Sequence, residues 1–162
     1  MYLSKVVKAK ELVTNAMLVY QGKLNGDNPI TLNGINFYPN ELGYCQKNIR
    51  KIVECTVWKE EWTWHQSSCC AGNTCKKLKQ AGITETTWKK MNSGDIVYMN
   101  GGKNCSVCGN PVGHVVLLVK NDDINNRLFW QNTSSQKLGM CVIPMTDAQI
   151  NRITGIFKIL PQ

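Results

Sequence analysis

The chain has 162 residues, 43% of them hydrophobic and 19% charged, which suits one folded domain that needs no disulfide staples. Its formal net charge is +8, with lysine and arginine scattered along the chain, a balance that favours a polyanionic partner without choosing among nucleic acid, an anionic membrane and an acidic wall polymer. No apolar run reaches the roughly 18 residues of a membrane-spanning helix, and the opening Met1-Tyr2-Leu3-Ser4-Lys5 lacks the basic, apolar and small-residue order of a secretory leader, so synthesis in the cytoplasm without a signal peptide is expected.

Residues 3–20 carry Val6, Val7, Leu12, Val13, Ala16, Met17 and Tyr20 at helical spacing, which predicts a first amphipathic helix. Between 21 and 40, Gly22, Gly26, Asp27, Pro29, Gly34 and Pro39 predict a loop or short hairpin. Cys45, Ile49, Ile52, Val53 and Val57 line one face of a second helix over 42–58, with Lys47, Arg50, Lys51 and Glu54 toward solvent. A link containing Trp58, Trp62 and Trp64 leads to Ser67-Ser68, the expected cap of a third helix that Gly82 ends. Beyond it the period changes. Strands are expected over 94–99, 114–119, 127–133, 140–143 and 153–160, with a glycine- and cysteine-bearing loop over 100–113 and a helical turn from Thr146. Helices followed by strands predict an α+β domain with N-terminal helices packed on an antiparallel sheet.

Hydrolysing an amide through a thiol needs a thiol that can lose its proton, a base to take it and a polar group to hold the base. Cys45 opens the second helix just after Gly43, where unpaired N–H groups and the helix dipole are expected to lower a thiol pKa. The same N–H groups suit the oxyanion of a tetrahedral intermediate. Of the two histidines, His65 lies in the polar tryptophan-rich link and His114 opens an apolar strand, so His114 is the candidate base. Gln131 and Asn132 lie on the next strand. Alternation puts them on opposite faces, so only one can orient His114. A cysteine on an apolar helix face is, by type alone, more often a core residue, so the constellation carries the assignment. It is the way a papain-like nucleophile is assembled.

Tyr44-Cys45-Gln46-Lys47-Asn48-Ile49-Arg50 resembles the nucleophile helix of phage-borne NlpC- and CHAP-type cell-wall peptidases. Gly94-Asp95-Ile96-Val97-Tyr98 resembles the strand before the histidine, Gly113-His114-Val115-Val116-Leu117-Leu118-Val119 the histidine strand, and Gln131-Asn132-Thr133-Ser134 a Glu-Asn-Thr-Ser segment found in part of the family. Residues 156–161 are similar to its closing strand, so the likeness runs from about 42 to 161 in the family's order. It implies one papain-like domain over 1–162. It also implies cleavage of an amide in peptidoglycan stem or cross-linking peptides, as endopeptidase or amidase, through an acyl-thioester. Carried over by position, Cys45 is the nucleophile, His114 the base and Gln131 the orienting group, with Asn132 as second candidate. No cofactor is required. Phage or prophage origin, with access to the wall by holin-dependent release or on a virion, accompanies the likeness. Gln46 stands where the family has a small residue, and Gln131 where it has glutamate, which points to reduced activity.

Without a secretory leader the eight cysteines are expected as free thiols, metal ligands or one catalytic thiolate. Cys105-Ser106-Val107-Cys108-Gly109 has the shape of a zinc knuckle, and Cys70, Cys75, Cys105 and Cys108 are the candidate ligands of a structural zinc. Cys75 also falls on the inward face of the third helix with Leu78 and reads as core, as do Cys55 and Cys141 in their apolar runs. The alternative function is a non-enzymatic basic module whose zinc knuckle binds nucleic acid or a partner protein.

Overall fold

In the computed structural model, residues 2–43, 45–56, 70–109 and 111–158 are described, with side chains from Lys8 in the first helix and from Val112 in the strand that starts at Pro111. His65, Cys69, the Ser67-Ser68 cap and Trp58, Trp62 and Trp64 lie outside the described residues. The elements in chain order are α1 (Tyr2–Leu24), β1 (Ile30–Leu32), β2 (Ile35–Phe37), α2 (Cys45–Thr56), α3 (Ala71–Gln80), β3 (Ile96–Asn104), β4 (Pro111–Lys120), β5 (Leu128–Thr133), β6 (Gly139–Ile143), α4 (Asp147–Ile150) and β7 (Ile153–Phe157). The first two strands form the hairpin expected after the first helix. The other five form one antiparallel sheet in the order β6-β5-β4-β3-β7, which agrees with an α+β class.

Both faces of this sheet are covered, and that explains why 114–119 reads as a continuous apolar run. On one face Tyr98, Val115, Leu117 and Trp130 pack under Leu12, Ala16 and Val19 of α1 and Ile49, Ile52 and Val53 of α2. On the other, Val97, Met99, Val116, Leu118 and Phe129 meet Met91, Met145 and Ile156. Neighbouring strand residues therefore both lose water, as the pleat requires when each side has a cover. The helices α1 and α2 are also joined by a buried hydrogen bond from Asn15 Nδ2 to Thr56 Oγ1 at 3.1 Å. Trp130 lies edge-on to Phe37, and Trp88 stacks on Phe129 and carries Arg127 over its ring, so these two tryptophans serve packing.

Two expectations change. The loop over 100–113 is shorter than predicted, because β3 runs on to Asn104 and β4 begins at Pro111. Polar Asn100-Gly101-Gly102-Lys103-Asn104 extends as strand because a Cβ on Gly101 would stand 2.2 Å from the carbonyl oxygen of Val112, an approach only glycine permits. The third helix is capped by Cys70, whose sulfur accepts from Asn73 N–H at 3.4 Å.

The Gly94-Asp95 pair has a structural explanation. Gly94, with φ +97, brings its α-carbon against Ala9 of α1, while Asp95 accepts from Asn92 N–H at 2.8 Å and pairs with Lys158 at 3.0 Å. Together they fix the entry of β3 into the centre of the sheet.

Candidate functional site

Cys45 is the first residue of α2, delivered by Gly43 at φ +81. Its sulfur packs against the helix-side core, where the backbone N–H groups of Val115, Gln46 and Cys45 lie close enough to favour its thiolate form. The first N–H groups of a helix have no partner within it, so two of these donors follow from the helix start and the third comes from β4. Val115 directly follows His114, so the thiol meets β4 at the residue after the histidine, whose ring is turned by alternation to the face of Met99, its partner across the ladder.

The His114 ring is part-buried, and its Nε2 lies 2.7 Å from Gln131 Oε1. The amide oxygen accepts, which places the proton of the neutral ring on Nε2 and leaves Nδ1 with a lone pair. Asn132 is not at the ring. Its Nδ2 donates to the carbonyl oxygen of Glu41 at 2.8 Å, tying β5 to the segment that leads into Cys45. The two amides thus face opposite ways, as the pleat dictates, and of the two only Gln131 meets the imidazole. Among the described residues, no hydrogen bond joins the Cys45 thiol to the His114 ring.

Burial moves both groups toward their neutral forms. It raises the Cys45 thiol above its ordinary 9.0, and the three backbone donors only partly offset this. The helix start was expected to lower that pKa; here desolvation outweighs the dipole and the amides. Burial also holds His114 below its ordinary 6.5, against the hydrogen bond its ring donates to Gln131, which raises it. The resting pair is thiol and imidazole. A histidine depressed in the folded state binds its proton more readily once unfolded, so stability is full above 6.5 and is lost as pH falls toward the folded value. Urea midpoints measured from about pH 7 to about pH 5 should fall further for the parent chain than for His114→Gln; parallel curves would refute the buried neutral ring.

Gln46 does not stand alone beside the thiol. Its Oε1 accepts from the hydroxyl of Tyr98 at 3.2 Å, and Tyr98 is fully buried on β3 against Phe157. The residue expected to crowd the site is therefore tied to the sheet. Next to Gly113 and Met99, the neighbours of His114 along the strand and across the ladder, a cavity of about 210 Å³ opens between α3 and the sheet. Cys75, Thr154, Lys76 and Lys79 are among its lining residues.

The other thiols separate into two groups. The sulfurs of Cys70, Cys105 and Cys108 lie within 4.8 Å of one another, a donor set that could hold a metal ion. Cys75, expected with them, is instead a core residue on the inner face of α3, its sulfur 3.5 Å from Thr154 Oγ1. Its position three residues before Leu78 is the helical signal for that burial. Cys55 and Cys141 are also buried, and burial pushes Cys55 up to about 11. What sequence reasoning missed here is the Tyr98 hydroxyl and the Val115 N–H, contributions that neither an apolar strand pattern nor a backbone group announces in advance. Compared with family models, curated proteins and solved structures, the chain matches none.

Proposed function

We propose that this chain is a papain-like cysteine hydrolase that cleaves an amide bond in peptidoglycan peptides. The observation that carries the reading is the His114–Gln131 hydrogen bond of 2.7 Å on the strand whose next N–H meets the Cys45 sulfur. With Nε2 occupied by Gln131, the Nδ1 lone pair of His114 takes the thiol proton as the sulfur attacks the scissile carbonyl. The carbonyl oxygen becomes an oxyanion, for which the N–H groups at the start of α2 are the available donors. His114 then returns the proton to the leaving amine, and water hydrolyses the acyl-thioester with His114 again as base. The wall substrate rests on the resemblance of 42–161 to NlpC- and CHAP-type peptidases, and the +8 charge suits an anionic wall.

The neutral resting pair distinguishes this mechanism from one with a preformed thiolate. Alkylation of Cys45 by iodoacetamide is expected to be slow at neutral pH and to climb without a plateau until above pH 9, the ordinary thiol value that burial exceeds. A plateau reached already in the acidic range would show a preformed thiolate–imidazolium pair and overturn this part of the mechanism. The function itself is tested by incubating the folded chain with purified peptidoglycan and following new amino groups and soluble fragments by mass spectrometry. A wall left intact across hosts of different cross-link chemistry would return the chain to the alternative of a basic binding module.

A further inference from the structure

We propose that Cys70, Cys105 and Cys108 bind a single zinc ion as thiolates, clamping the β3–β4 loop to the N-terminus of α3. The geometry carries this. A tetrahedral zinc with Zn–S bonds of about 2.3 Å sets its sulfurs about 3.8 Å apart, and Cys70 and Cys108 stand 3.8 Å apart. A disulfide would need them at about 2.05 Å. The third sulfur, of Cys105, completes a triangle within 4.8 Å. The tetrahedron's fourth vertex is left to a solvent molecule.

The surroundings of the sulfurs fit a metal knuckle as well as the distances do. Val107 N–H points at Cys105 Sγ from 3.5 Å, two residues on from the ligand, and Asn73 N–H points at Cys70 Sγ from 3.4 Å. Such N–H donors stabilise a thiolate and orient it toward a cation. Gly109, at φ +73, and its N–H bond to the Cys105 carbonyl at 3.0 Å close the turn that lets both cysteines of the Cys-x-x-Cys segment face one point. Zinc, indifferent to geometry beyond four-coordination and drawn to thiolate sulfur, is the metal such a set selects.

The site sits where a clamp has mechanical effect. A Cβ on Gly113 would come within 2.8 Å of the Gly72 backbone nitrogen, so the strand carrying His114 already touches the first turn of α3. Zinc would fix the loop before that strand to the cap of that helix. The inference stands independently of the hydrolase reading, because metal content does not depend on Cys45 or His114.

The test is metal analysis of the full chain produced with zinc in the medium and purified under mild reductant. About one zinc per chain is expected, with loss of that zinc in Cys70→Ser, Cys105→Ser and Cys108→Ser and full retention in Cys75→Ser. Should the serine variants fail to fold, the parent chain decides. Removing zinc with a chelator and reloading with cobalt should give the intense visible bands of tetrahedral cobalt and thiolate-to-cobalt charge transfer, with Cys105 and Cys108 protected from alkylation only when loaded. A chain that carries no zinc, shows no tetrahedral cobalt spectrum, or keeps its zinc in Cys108→Ser overturns it.

Discussion

On the proposed mechanism, Cys45→Ala and His114→Ala are each expected to lower the rate of peptidoglycan cleavage by about 10⁴-fold or more, with the urea midpoint little changed for Cys45→Ala. The size follows from the division of labour. Without the thiol no acyl-thioester forms, and without the imidazole a thiol raised above 9.0 by burial has no base to ionise it near neutral pH. The double variant should be no worse than either single one, because nucleophile and base act as a unit. Gln131→Ala and Asn132→Ala separate orientation from scaffolding. Gln131 touches the ring at 2.7 Å, so its loss frees the tautomer and lowers kcat. Asn132 holds the Glu41 carbonyl, so its loss lowers stability ahead of kcat. Cleavage by Cys45→Ala at a rate near that of the parent would end the cysteine-hydrolase reading, whatever the other variants do.

Gly139→Ala is expected to cost about 3 kcal/mol of folding stability. Gly139 opens β6 at φ +63, and a Cβ there would lie 2.3 Å from the Pro39 carbonyl oxygen and 3.4 Å from that of Glu41. The left-handed backbone alone costs an alanine about 1 kcal/mol; the rest comes from pushing apart two stretches of main chain. Gly34→Ala supplies the control, since Gly34 has φ +78 and nothing within 4 Å of the added carbon. Urea unfolding of the two variants should therefore differ by about 2 kcal/mol, and equal losses would show that the contact with Pro39 yields freely. Because the 39–41 segment also carries the carbonyl bonded by Asn132 and leads into Cys45, Gly139→Ala should lower activity as well as stability.

Where a segment's pattern reflects its own burial, the sequence was readable. The face of α2 through Ile49, Ile52 and Val53, the apolar run of β4 and the capped turn at Thr146 each appear where periodicity or cap chemistry predicts them. Legibility failed where a distant backbone decides. Nothing in Asn100-Gly101-Gly102 announces that Val112 will pass close enough to demand glycine. Cys75 could be read both as a zinc ligand and, from its helical spacing to Leu78, as core; the structure turns it to Thr154, while Cys70 turns to the Cys-x-x-Cys loop. At the candidate site the choice between Gln131 and Asn132 is made by the structure, where the β4–β5 ladder ends at Leu117 opposite Trp130 and Gln131 bonds the His114 ring while Asn132 bonds the Glu41 carbonyl. The charge state of Cys45 did not follow, because a helix start and burial push it in opposite directions and only the packed structure weighs them.

The two outer strands of the five-stranded sheet bear on how the chain behaves at high concentration. Exposed strand edges recruit strands from other molecules, the first step toward aggregates and swapped dimers. Along β6, Met140 N–H is taken by the Pro39 carbonyl, and the Lys23 ammonium at the end of α1 donates to the carbonyls of Leu138 and Met140. Along β7, Thr86 N–H bonds the Ile156 carbonyl, Lys158 N–H bonds the Thr84 carbonyl, and Glu85 bridges to Phe157. The chain thus blunts both borders with its own segments, and a lysine drawn from the opposite end of the sequence guards one of them against a neighbour's strand.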